Sequence, residues 1–476
     1  LAMLAMPIIV VGCGDDDVIV GNIVDDNGDD NGNGNGEIVN PFPEFPPSDA
    51  SNLAVIDRDQ MMFQLKLPGW DNREKTDMYE NWILPKLKEV GSNVEYVPKD
   101  LENTNGTWTW SKGTSTVANI IGASVTVERT AGGLWNNYIQ AWEPGGDYFT
   151  GEKFYKPLAL HNLEGVTPTT WWSSRRPEIF REVQKIWGKV PDAANDLKIS
   201  WEVSGPTLVT EATDWFGGIS VLENPYNGYT IKGTIDISGY PEIREAPVIS
   251  ATLRIPINAG TSKIPVIINY AMGFFGMVFD DEDLWNSAAP DGIGMISFDA
   301  GSLQADNGAG LTSYLIGLVN KGNWRKPTDW GSLVAWAWGT SRLIDFFETS
   351  DLPVDPAKIG LTGHSRYGKA TLVTMAYEPR VAIAFPSSSG ALGAAPSRRH
   401  LGQDLGNSQW DQEYHWMAGN FMTYIGVHES STDGYMPRKV LDMPVDAESL
   451  VALCAPRPIF IGSGDVTGDS WVDPYG

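Results

Sequence analysis

Apolar positions along the second half of this chain recur with two periods. Over 169–187 they fall at Ile179, Phe180, Val183 and Ile186-Trp187, a spacing of three to four residues that predicts an amphipathic helix. A second helix is predicted over 330–348, and a third over 370–377. Between and after them come short aliphatic and β-branched runs at 199–203, 229–237, 248–255, 264–269, 295–298, 358–362, 381–385 and 458–461, which predict strands. The runs at 264–269 and 295–298 are apolar without alternation, as in strands covered on both faces. Strands alternating with helices predict an α/β fold, a mostly parallel sheet in the middle of a three-layer sandwich, over 155–476.

The first third reads differently. Residues 51–150 predict a small β-rich accessory region or an N-terminal elaboration of the next domain. Thr107–Trp110 and Ala123–Val127 alternate as strands do, and 78–90 predicts a helix kinked by Pro85. Residues 14–50 are rich in Asp, Asn and Gly and end in a Pro-rich stretch, with no Lys or Arg among the first fifty residues. Repelling charge and flexible glycine predict a disordered acidic tether. Residues 1–13 are apolar and close on Val10-Val11-Gly12-Cys13, which resembles a bacterial lipobox. The run is too short to cross a bilayer. The expectation is a signal segment and a lipid anchor at Cys13, holding the protein on the bacterial outer membrane, at the cell surface or in the periplasm. Membrane contact is expected only through that lipid.

Composition narrows the partners. A net charge of −26 excludes nucleic acid and anionic membrane surfaces as electrostatic partners. With two cysteines, Cys13 and Cys454, there is no disulfide framework and no zinc spacing, and neither metal nor cofactor is expected. Cys454 lies in an apolar run and reads as a buried, inert thiol. The 19 tryptophans fit sugar stacking or, more commonly, core packing. The chain is expected to act as a monomer.

The chemistry concentrates in Gly360-Leu361-Thr362-Gly363-His364-Ser365-Arg366-Tyr367-Gly368-Lys369. A predicted strand leads in and a predicted helix leads out, the setting of a nucleophile elbow in an α/β-hydrolase. The turn is tight enough to require glycine two residues before the serine. It lifts Ser365 out as nucleophile and turns the Arg366 N–H toward a developing oxyanion. The general pattern has its second glycine two residues after the serine. Here Tyr367 stands there and Gly368 follows.

Gly363 to Lys369 resembles the signature of the glucuronoyl esterases, carbohydrate esterase family fifteen, which shifts the second glycine in the same way. Ala335-Trp336-Ala337-Trp338-Gly339, Glu413-Tyr414-His415-Trp416-Met417-Ala418-Gly419-Asn420, and the stretch from Leu453-Cys454-Ala455-Pro456 to Asp469-Ser470-Trp471 resemble its bacterial members. The resemblance implies cleavage of the ester between 4-O-methyl-glucuronic acid of xylan and lignin alcohols. It implies Ser365 as nucleophile, Arg366 as stabiliser of the oxyanion, and Lys369, Glu413, Trp471 and Gln403 as contacts to the sugar.

The acid and base need more. Ser388 stands where fungal relatives carry a Glu, so the acid is expected at Asp469, with Asp473 as second choice. The chain order Ser, acid, His puts the base after Asp469. All five histidines (His161, His364, His400, His415 and His428) precede it. The resemblance puts the family histidine roughly fifty residues beyond Asp469, so the catalytic domain is expected to continue past Gly476. Were a histidine already present to serve instead, His415 would be the choice, although its apolar flanks read more readily as those of a core histidine. Two other readings remain: another carbohydrate esterase such as an acetylxylan esterase, and a non-catalytic glycan-binding surface lipoprotein.

Overall fold

The computed structural model describes residues 42–47, 53–65, 165–213, 218–274, 277–279, 282–397, 413–424 and 443–463, with the backbone of six short strands between 101 and 143. Those six form three antiparallel hairpins: β1 (Leu101–Thr104) with β2 (Thr107–Trp110), β3 (Ser115–Ile120) with β4 (Ala123–Val127), and β5 (Leu134–Asn136) with β6 (Ala141–Glu143). The strands expected at Thr107–Trp110 and Ala123–Val127 are both there. The kinked helix expected over 78–90 lies outside the described residues.

The body is built on a seven-stranded sheet of β7 (Ile199–Thr213), β8 (Ile219–Ile235), β9 (Val248–Pro256), β10 (Ile264–Tyr270), β11 (Gly294–Asp299), β12 (Val354–His364) and β13 (Ile383–Ser387). Their order across the sheet is β13-β12-β10-β11-β9-β8-β7. The pairings β13–β12, β12–β10 and β10–β11 are parallel; β11–β9, β9–β8 and β8–β7 are antiparallel. Five of the seven strands therefore run one way, with β9 and β7 reversed. Five successive residues of β11, Gly294 to Phe298, are buried. Side chains alternate faces along a strand, so both faces of the sheet centre are covered, as in an α/β sandwich. The end of β8 instead alternates buried and exposed, the mark of one covered face. The run at 458–461 makes only isolated parallel bridges to β13, Ala384 with Ile459 and Ser387 with Gly462, and forms no full strand.

Helices complete the body. After a π-helical turn at Trp171–Arg175, α2 (Arg176–Trp187) buries Ile179, Val183, Ile186 and Trp187, the predicted face, and ends at Gly188 with φ 109°. α3 (Ser332–Thr349) is buried along its whole first half, from Ser332 to Thr340. It packs on α4 (Arg366–Tyr377), which in turn meets α5 (Ala447–Cys454). The Cys454 thiol is buried and hydrogen-bonds the Leu450 carbonyl at 3.2 Å, and burial pushes its pKa up to about 12, so it is inert. Among the described residues no helix is long and apolar enough to cross a membrane.

Upstream, α1 (Leu53–Gln64) docks on the same body. Met61 is buried against Gly419, and the Tyr414 hydroxyl lies within hydrogen-bonding distance of Asp57 Oδ2, at 2.7 Å, and of the Ala54 carbonyl, at 2.9 Å. The α/β body thus recruits a helix from well before residue 155.

Candidate active site

In a sheet with parallel centre strands, side chains gather at the carboxyl ends. Here those ends are Tyr270, Asp299, His364 and Ser387, of β10 to β13. Ser365 stands between β12 and α4 with φ 58° and ψ −124°, a conformation that costs a non-glycine residue about 1–3 kcal/mol. The turn is fixed on both sides: the Ser365 N–H donates to the Ser387 carbonyl at 3.0 Å, and the Ser365 carbonyl accepts from the Lys369 N–H at 3.1 Å. The N–H of Arg366 opens α4 and has no partner four residues back, so it is available to a negative oxygen.

The local packing explains the shifted glycine. A Cβ at Gly363 would lie 2.5 Å from the Tyr367 carbonyl oxygen, and one at Gly368 would lie 2.3 Å from that of Ser387. The first turn of α4 therefore touches β13 at residue 368, not 367. Residue 367 faces the core instead, where the Tyr367 ring stacks near Tyr270, centroids 6.2 Å apart, and tilts against Trp336 at 5.3 Å.

Beside the elbow lies a cluster of charge. Lys369 is buried, and its Nζ donates to the carbonyls of Ser389 at 2.5 Å and Ala391 at 2.7 Å. Burial pushes its pKa down to about 7 against the pull of Glu413. Burial likewise raises Glu413 above the usual carboxylate range, although Lys369 and Arg366 both draw it down. The Glu413 Oε2 atom is buried and finds no hydrogen-bond partner among the described residues. A polar atom left so is costly unless something else reaches it, and a hydroxyl group is a fitting donor. The ring of Trp416 lies 5.4 Å from Lys369 Nζ and 5.5 Å from the Arg366 guanidinium carbon, within cation–π range of both.

Sequence reasoning missed Asp306. Its Oδ2 receives Arg366 Nη1 at 2.6 Å; its Oδ1 receives His415 Nε2 at 2.9 Å and the Trp416 indole N–H at 2.7 Å. Burial alone would lift this carboxyl, but His415, Arg366 and Trp416 outweigh it and hold it well below the usual range. No motif surrounds Asp306, which lies 60 residues before Arg366. The one local signal is Asn307-Gly308-Ala309-Gly310, a turn-forming string after a strand.

His415 reaches this carboxylate from the core. It is fully buried, burial lowers its pKa, and Nε2 carries the proton given to Asp306. The other ring nitrogen, Nδ1, is buried and has no partner among the described residues. His364 is exposed and lies 3.3 Å, by Nδ1, from Ser387 Oγ. Ser388 is buried with φ 43°, and its N–H donates to the Gly462 carbonyl at 2.6 Å. The structure thus brings Ser365, Arg366, Lys369 and Glu413 to one end of the sheet. Asp469, Asp473, Trp471, Gln403 and Cys13, and the histidines His161, His400 and His428, lie outside the described residues. No group of three or more His, Cys, Asp or Glu side chains suited to a metal occurs among the described residues.

Known proteins resemble the chain. The sequence model of the family described as glucuronyl esterase, fungi, matches residues 243–475. Carbohydrate esterase MZ0003, from an unknown prokaryotic organism, is 26% identical over 367 residues, covering 67% of this chain and 74% of its own length. The 4-O-methyl-glucuronoyl methylesterase of Hypocrea jecorina is 30% identical over 330 residues, but the chain spans only 57% of that protein. A solved CE15 glucuronoyl esterase from Teredinibacter turnerae superposes with a TM-score of 0.54 at 33% identity, covering 65% of this chain and 71% of that one. The shifted elbow, the mixed sheet and these likenesses converge, and the chain belongs to the glucuronoyl esterase family, carbohydrate esterase family 15, with an α/β-hydrolase fold.

Proposed function

We propose that this protein is a serine esterase that cleaves the ester between the carboxyl of 4-O-methyl-glucuronic acid, carried on xylan, and a lignin alcohol. The observation that carries the reading is the strained Ser365 elbow with a largely buried cluster of charged, hydrogen-bonding side chains beside it, Arg366 and Lys369 set against Glu413. Ser365 Oγ attacks the ester carbonyl as its proton passes to a histidine base. The Arg366 N–H and guanidinium stabilise the oxyanion. Collapse breaks the bond to the alcohol, which leaves with the proton. Water then hydrolyses the glucuronoyl-serine, freeing the uronic acid and restoring Ser365.

Lys369 and Glu413 hold sugar hydroxyls in this reading, joined by Trp471 and Gln403. Asp469 is the acid, with Asp473 as the alternative, and the base follows it in chain order. An acetyl ester offers this cluster nothing polyhydroxylated to hold, which favours a uronoyl ester over acetylxylan. We further propose that Cys13 carries lipid, that the acidic segment after it tethers the esterase to the bacterial outer membrane, and that the enzyme works as a monomer.

The test is made on protein expressed from the complete reading frame. Incubation with benzyl glucuronate and acid quench should trap a glucuronoyl adduct on the Ser365 peptide by mass spectrometry, and Ser365→Ala should neither form it nor turn over. Turnover by Ser365→Ala at the wild-type rate would reject Ser365, and no turnover by folded wild type would favour the glycan-binding reading.

A further inference from the structure

The carboxylate of Asp306 has no place in the esterase chemistry above, yet it sits under the residue on which that chemistry leans. One oxygen takes Arg366 Nη1 at 2.6 Å, and the other takes two ring N–H donors, from His415 at 2.9 Å and Trp416 at 2.7 Å. We propose that Asp306, fixed by His415 and Trp416, is a positioning residue that sets the Arg366 guanidinium for oxyanion stabilisation. The proposal rests on the esterase reading and deepens it.

Three features support more than an ordinary ion pair. First, the loop carrying Asp306 is rigid. The neighbouring Gln304 is fully buried; its side chain accepts from the Ile316 N–H and donates to the Gly310 carbonyl, each at 2.9 Å, and its own carbonyl takes the Trp336 indole at 2.8 Å. Asn307 Oδ1 closes the next turn by accepting from the Gly310 N–H at 2.8 Å. Second, the second carboxylate oxygen is held by two ring donors, both on fully or nearly fully buried side chains. Aromatic rings have few rotamers, so the carboxylate cannot follow Arg366 if Arg366 moves. Third, the Trp416 ring lies beneath the guanidinium at 5.5 Å, so one side chain both steadies the carboxylate and faces the cation. His415 is committed to this task by its tautomer. Its Nε2 proton goes to Asp306 and its Nδ1 is buried with no partner among the described residues, which suits an orienting group and not a proton shuttle.

A long side chain on the first residue of a helix has many rotamers. The partly exposed Arg366 guanidinium, at 42% of its side-chain surface, would sample them without a fixed anion. Preorganisation of donors toward the transition state raises kcat and leaves ground-state binding nearly unchanged.

The experiment measures kcat and KM for benzyl glucuronate, with melting temperatures, on protein from the complete reading frame. The variants are wild type, Asp306→Asn, Arg366→Ala, the double variant, and Asp306→Glu. Asp306→Asn keeps the shape and removes the charge. We expect it to lower kcat about 10- to 100-fold, less than the 10²–10³ of losing an oxyanion donor outright, with KM within about threefold. In the Arg366→Ala background the same change should cost under about threefold, because the residue it positions is gone. Asp306→Glu, which keeps the charge, should recover part of kcat. If Asp306→Asn does not fold, Trp416→Phe keeps an aromatic, though smaller, ring and deletes one hydrogen bond, and should lower kcat about 3- to 10-fold in wild type but not in Arg366→Ala. Active wild type with Asp306→Asn within twofold of it overturns this inference alone, as does an equal loss in both backgrounds. Folded wild type without activity overturns the esterase reading and this inference with it.

Discussion

At the scale of single residues, the site divides into what lies close in sequence and what does not. Ser365, Arg366, Lys369 and Gly368 share one short string, and a strand-turn-helix rule reads their geometry directly. Tyr367 at the place of the usual glycine is explained only by packing: the close approach to β13 falls at Gly368. Gly368→Ala would thrust a methyl to 2.3 Å from the Ser387 carbonyl. We expect it to destabilise the protein by about 1–3 kcal/mol or more in urea unfolding and to cripple turnover, since the same contact sets the elbow. Asp306 escaped sequence reading because a carboxylate after a strand looks like any turn aspartate until the fold carries it to Arg366.

Lys369 offers a pH test. Its pKa is depressed to about 7, so the ammonium is present below that value and fades as the pH climbs through it. If the cation grips the sugar, KM for a glucuronoyl ester should rise from pH 6 to pH 8 in wild type. In Lys369→Met, KM should be high and flat over that interval. A wild-type KM that does not change across it would remove Lys369 from binding.

At the scale of elements, hydrophobic period located every strand of the sheet and the main helices, but not their ends. β7 runs on well past 203 and β8 begins well before 229, because their outer halves are a two-stranded arm of largely exposed residues that pair with each other away from the core. Leu208, Ile219 and Val221 are exposed there, so burial could not have marked them. The run 458–461 is apolar enough for a strand but only bridges β13. Helix α1 was invisible as part of the body: its partners, Arg325 and the 414–419 stretch, lie hundreds of residues away, among them the Arg325 carbonyl that accepts from Gln64 Nε2 at 2.8 Å. Its anchor is Met61, 1% exposed. Met61→Ala should cost about 2–5 kcal/mol in a chemical denaturation curve monitored by tryptophan fluorescence. A loss below about 0.5 kcal/mol would mean that α1 is not integral to the body. Because α1 also holds Tyr414, between Glu413 and His415, the same variant should raise KM for the uronoyl ester more than it lowers stability alone would explain.

At the scale of the whole molecule, strand alternation, the charge of −26 and two cysteines were enough to define an acidic α/β protein without a disulfide framework. Family membership then needed the shifted elbow and the 413–420 stretch together, since an α/β sheet hosts many chemistries and only the site selects among them. The tether and anchor rest on residues 1–50 alone. Cys13→Ser should release the protein from the membrane fraction of its host cell into the soluble one, and unchanged membrane association would reject the lipid anchor.

The acyl group that Ser365 accepts decides between the esterase readings. The most direct measurement compares kcat/KM for benzyl glucuronate with kcat/KM for benzyl acetate on protein from the complete reading frame. The two substrates share their alcohol and differ only in the acid that the cluster of Arg366, Lys369 and Glu413 would hold. Several oriented hydroxyl contacts should favour the glucuronoyl ester by at least about 10²-fold. Equal values, or a preference for the acetate, would contradict the account.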